Sequence, residues 1–175
     1  MPDRARSTFC AIALALMPGM ALAEVDCLPL PLDYVFCADG TAWPDARRID
    51  MGDGVAFEAG DLWLEVFAVP EDLPADMPLM DLLVLIQTES AEDEGYAPSE
   101  LVDRSEFSTP YLTVAALTQR VDMGGGAMEH MVVMLAEGAR GRIFVSLDPG
   151  MDVAADDLFA DTQSLVELIR PANGG

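Results

Sequence analysis

The sequence predicts an α+β fold: an antiparallel sheet of about five to six strands with a C-terminal amphipathic helix packed on it. Two observations carry this. Between residues 55 and 147, apolar segments of strand length recur, and short connections rich in Gly, Pro, Asp and Glu separate them. After Pro149-Gly150 the apolar spacing changes to steps of three and four, the mark of a helix with one buried stripe. The first 23 residues decide which part of the chain builds the fold. Arg4 and Arg6 precede an apolar run from Phe9 to Met17, and the segment ends on Ala21-Leu22-Ala23. A cationic start, a short apolar stretch and small residues before the break read as an export signal, cleaved after Ala23. The stretch contains Pro18 and Gly19 and falls short of the roughly 20 apolar residues a spanning helix needs. The expected product is one domain, 24–175, that is periplasmic or secreted and has no membrane span once the signal is removed.

Cys10 leaves with that signal, so Cys27 and Cys37 remain. In an oxidising compartment an even pair at this spacing reads as a disulfide that pins the N-terminal segment. Asp39 to Gly54 carries Asp39-Gly40, Trp43-Pro44 and Gly52-Asp53-Gly54 and reads as loop with at most one helical turn. Val55, Phe57 and Ala59 then share one face of a strand. Gly60-Asp61 makes a tight turn, and Leu62 to Val69 supplies the partner strand of a hairpin. Beyond the Pro- and Asp-rich connection 70–78, the continuous run Leu82 to Thr88 is read as a buried central strand, with helix as the alternative.

Glu92-Asp93-Glu94-Gly95 reads as an acidic loop, and Pro98 to Arg104, opening on proline, as a short helix. Tyr111 to Val121, Met128 to Leu135 and Arg142 to Leu147 are strands whose glycine-bearing connections predict an antiparallel meander. The final helix is expected from about Val153 to Arg170, with Asp152 as its cap and Asp156 and Asp157 in its first turns, where the helix dipole favours negative charge. Ala155, Leu158, Phe159, Thr162, Leu165, Val166 and Ile169 form its stripe. Asp157, Asp161, Gln163 and Glu167 face water.

This late part of the chain resembles the family of small exported domains with a PsbP-like fold. The likeness is carried by the hairpin Glu137 to Gly141, the strand Arg142 to Leu147 with its Asp148-Pro149 exit, and the helix ending Leu168-Ile169-Arg170-Pro171. The resemblance implies an α+β sandwich used for binding or assembly rather than catalysis, and it brings no functional residue with it.

Composition narrows the function classes. With 31 acidic against 9 basic residues the net charge is −22, and loss of Asp3, Arg4 and Arg6 with the signal deepens it by one. Such a surface repels phosphate backbones and anionic lipid, so nucleic acid is not an expected partner. All nine basic residues are arginine, a bias with no physical account. His130 is the sole histidine, no serine stands in G-x-S-x-G, and Gly124-Gly125-Gly126 reads as a turn rather than a phosphate cradle. Paired carboxylates could serve an envelope hydrolase, yet among so many acids no pair stands out. A calcium loop at 50–54 departs from the EF-hand spacing.

The sharper chemical motif is Met128, His130 and Met134, which share one face of a regular strand and offer thioether and imidazole to Cu(I). The competing reading makes these methionines core filler beside Val132, Val133 and Leu135. Trp43 and Tyr96 fit no core pattern and mark places for a partner, with packing under a loop as the alternative. The sequence thus points to a non-catalytic binding or scaffolding domain for an envelope protein or small ligand, without a cofactor. Copper handling is the first alternative and hydrolysis the second.

Overall fold

A computed structural model of the protein describes residues 27–37, 43, 45–70, 73–74, 76–94, 99–122, 127–150 and 153–172, with the side chains of 91–94 outside the description. Residues 1–26, with the expected signal, and Tyr96, Gly124 to Gly126 and Asp152 lie outside the described residues.

The main sheet has seven strands, in the order β3-β4-β5-β9-β8-β7-β6, all antiparallel. They are β3 (Arg47–Asp50), β4 (Gly54–Ala59), β5 (Leu62–Ala68), β6 (Glu100–Ser108), β7 (Leu112–Asp122), β8 (Met128–Gly138) and β9 (Gly141–Asp148). A second, three-stranded sheet joins β1 (Leu28–Pro29) and β2 (Tyr34–Phe36) to β10 (Ile169–Pro171) near the C-terminus. The helices are α1 (Leu79–Glu94) and α2 (Ala155–Glu167).

The hairpin of β4 and β5 forms as its alternation requires: Val55, Phe57, Leu64 and Val66 are buried together, and Gly60 turns the chain at φ 66. The expected meander, β7 to β9, is present, with Ala139 and Arg140 alone between paired Gly138 and Gly141. Successive residues of each strand point to opposite faces, and both faces are covered. On one side, Val114, Ala116, Val132, Met134, Ile143 and Val145 pack with Leu158, Leu165 and Val166 of α2 and with Tyr34 and Phe36 of the small sheet. On the other, Ala115, Leu117, Val133 and Leu135 pack under Leu82 and Leu83 of α1.

Four expectations need correction. The sheet is larger than five to six strands because its edges are polar. β3 is Arg-Arg-Ile-Asp and lies within the expected loop; β6 is exposed along most of its length and replaces the expected helix at 98–104. Charged edge strands carry no apolar alternation, and they protect a sheet from unwanted pairing. Leu82 to Thr88 is helical: Leu82 and Leu83 are fully buried against the sheet while Val84, Leu85 and Ile86 are half-buried around it, so the run lacks the polar face that signals a helix. α2 stops at Glu167, and Ile169 to Pro171 pairs with β2 as a strand; the residue at its N-cap is Ala154, without a side-chain cap. Trp43 is buried, its ring set edge-on against Phe36 with centroids 6.3 Å apart, and it contributes to the core rather than to a partner surface.

Tyr34 fastens the small sheet to the large one. Leu32 and Asp33, both left-handed at φ 57 and 56, reverse the chain before it. Its hydroxyl donates to the Gly141 carbonyl at 3.1 Å and accepts the Arg140 N–H at 3.3 Å. Burial pushes this phenol above its ordinary value of 10.0, an effect the Arg140 N–H partly offsets. Below pH ~10 the full contribution of Tyr34 is present; above it, the unfolded chain ionises first and stability falls as pH rises through the folded value. Tyr34→Phe is expected to cost about 1–2 kcal/mol near pH ~8. Denaturant midpoints should then show wild type and variant converging as the pH rises above ~10.

Candidate functional site

The two helices do not cover the sheet equally. α1 packs on β7 and β8, and the apolar cluster beneath it extends to Phe144 of β9 but includes no residue of β3, β4 or β5. Since Leu64 and Val66 point into the core on the α2 side, Trp63, Glu65 and Phe67 project from the α1 side, beyond that cluster. Trp63 and Phe67 are half-buried and belong to neither apolar cluster. That makes this face the candidate site.

Register fixes its layout. One row across the strands runs Arg47, Glu58, Trp63, Asp148; the next runs Ile49, Ala56, Glu65, Ser146; the last runs Gly54, Phe67, Phe144. The Trp63 indole donates from Nε1 to Glu65 Oε1 at 2.7 Å, and Ser146 Oγ donates to Glu65 Oε2 at 3.4 Å. Arg47 pairs with Glu58 at the edge. Asp148 Oδ1 accepts the Gly150 N–H at 2.8 Å, which holds its carboxylate at the end of the row. The Phe67 ring lies over Gly54, where a side chain would collide with it. Chemically, the face offers one indole ring with carboxylates on both cross-strand neighbours and a third hydrogen-bonded to its N–H.

The residues singled out from the sequence sit elsewhere. Met128, His130 and Met134 lie on the α2 face of β8, as their spacing requires. Met134 is fully buried in the core. It stands about 13 Å along the strand from His130, too far for one ion to gather all three side chains at ordinary bond lengths. His130 is half-buried, with Nδ1 2.9 Å from the Val153 carbonyl, a contact in which Nδ1–H donates. Cys27 and Cys37 form a disulfide. Residues 50–54 close the β3–β4 hairpin, with the Met51 N–H bonded to the Gly54 carbonyl and Gly52 at φ 86. Among the described residues no cluster of three His, Cys, Asp or Glu side chains could hold a metal ion, and no helix is long and apolar enough to cross a membrane.

Sequence reasoning missed the Trp63 face. Its residues lie within a correctly expected hairpin, and the signal was there: on a strand with both faces apolar, Glu65 interrupts the side that also carries Trp63 and Phe67. Only the position of α1 shows that, among the described residues, no apolar cluster covers this side.

No family model matches the chain, and no curated protein matches its sequence. In structure it is similar to the solution structure of cyanobacterial PsbP (CyanoP) from Synechocystis sp. PCC 6803, with a TM-score of 0.62 and 16% sequence identity over 90% of this chain and 98% of that one. The likeness first visible in the late hairpin and helix therefore extends across most of the chain, and at this identity it concerns architecture alone: the protein has a PsbP-like fold.

Proposed function

We propose that the protein is a non-catalytic binding or scaffolding domain, exported to the periplasm or secreted, that acts through a surface of its sheet. The observation that carries this reading is the PsbP-like fold, an architecture that suggests an accessory or scaffolding role. The signal-like leader, the Cys27–Cys37 disulfide and the strongly acidic surface support the exported setting. Cross-linking in the intact envelope, followed by capture of the tagged protein, is expected to recover one stoichiometric partner. Turnover of a substrate in a hydrolase panel, with no partner recovered, would overturn the proposal.

Copper handling is the second reading. It is favoured by the placement of His130 and Met128 two residues apart on the same face of β8, with the His130 ring held at Nδ1 by the Val153 carbonyl. A thermal shift with Cu(I) that disappears in His130→Ala is its test.

A further inference from the structure

The Trp63 face has the chemistry of a cation site. In its row, Trp63 stands directly between Glu58 and Asp148, and Glu65 holds the indole N–H. Accepting a bond from an indole N–H enriches the ring face in negative charge, and the flanking carboxylates add to the attraction for a cation above it. Arg47 already neutralises Glu58, while Glu65 and Asp148 enter no ion pair among the described residues. Each Glu65 oxygen accepts one bond, from Trp63 or from Ser146, while a carboxylate offers about four acceptor positions. A planar guanidinium suits both features, because it stacks on an indole and donates in a fork to a carboxylate. Phe67, which belongs to neither apolar cluster and pairs with Phe144 at the margin of the one under α1, supplies apolar surface for the rest of a bound segment.

Resting on the scaffold reading above, we propose that the open sheet face centred on Trp63 and Glu65 docks an arginine-bearing segment of a basic partner polypeptide. The occupant is set by charge: a face with two uncompensated carboxylates, on a chain of net charge −22, selects a cation, and the half-buried aromatics select one carried on apolar backbone or side chains.

The test uses an arginine-glycine peptide as probe, in about 0.15 M salt to suppress long-range attraction. Nitrogen-15 spectra of the whole protein resolve the Trp63 indole N–H from that of buried Trp43. The Trp63 signal is expected to move with added peptide while the Trp43 signal stays in place. Glu65→Gln keeps an acceptor for the indole and should raise the dissociation constant about tenfold, as should Trp63→Leu. Glu100→Gln, which removes one formal charge from the β6 edge, should change it less than about twofold. Equal weakening by Glu65→Gln and Glu100→Gln would overturn the proposal, since binding would then follow net charge. So would peptide binding that leaves the Trp63 signal unmoved. If envelope cross-linking recovers a partner that Glu65→Gln binds as tightly as wild type, the docking site is wrong and the scaffold reading stands; if no partner is recovered, the scaffold reading itself fails.

Discussion

Truncating Phe57 to alanine is expected to remove about 3–5 kcal/mol of stability, because the ring is fully buried and the site has little freedom to collapse. Phe57 projects from β4 into the core on the α2 side, where its ring centroid lies 6.0 Å from that of Phe36; Phe36 in turn meets Trp43 edge-on. These three rings come from the main sheet, the small sheet and the segment between them, so the cavity would open where three independent pieces join. Beyond lost burial, the variant forfeits an aromatic contact of about 0.5–1.5 kcal/mol. Phe57→Leu keeps most of the volume and should cost less than about 1.5 kcal/mol. Chemical denaturation followed by circular dichroism measures both, and the emission of Trp43 should shift to the red in the alanine variant alone. A loss below about 1 kcal/mol for Phe57→Ala would show that the small sheet is not fastened through this cluster.

That cluster also shows where sequence reasoning stops. The β4–β5 hairpin and the stripe of α2 were legible because each repeats its apolar residues at a regular period, and β7 to β9, apolar on both faces, because glycine-bearing connections cut them to strand length. Trp43 was not, because it stands alone beside a proline in a turn-rich stretch, and its burial depends on Phe36 from the N-terminal sheet. α1 failed for the opposite reason. Leu82 to Ile86 are apolar on every side, so no period distinguishes helix from strand, and the decision is made by packing over β7 and β8. β3, β6 and β10 were hidden by composition or length: two are charged edges, and the third is a three-residue strand that exists only because β2 is there to receive it. The candidate site depends on these hidden pieces. Trp63, Glu65 and Phe67 could be placed on a common face from sequence, but their openness follows from where α1 lies.

Replacing both Cys27 and Cys37 by serine is expected to cost about 2–3 kcal/mol, from the chain entropy restored to an unfolded state no longer closed over a separation of ten residues. The loss is concentrated at one place. Pairing of Leu28 with Phe36 and of Pro29 with Val35 brings the two cysteines opposite each other at the open end of the β1–β2 ladder, and the Cys37 N–H reaches the Leu168 carbonyl at 3.1 Å. The same β2 strand receives β10, so without the disulfide the N-terminal segment and the strand after α2 lose a common support. For a chain of this size the melting temperature should fall by about 5–10 °C. Reductant should produce the same fall in the wild type and none in the double serine variant; a wild type indifferent to reductant would mean that the bond adds nothing to the fold. Thiol counting on the denatured protein tests the expected export signal. Exported and cleaved protein should show no reactive thiol, whereas oxidised protein that keeps its first 23 residues should show one, at Cys10. Protein retained in a reducing compartment should show three, so a single alkylation measurement separates export with cleavage from both alternatives.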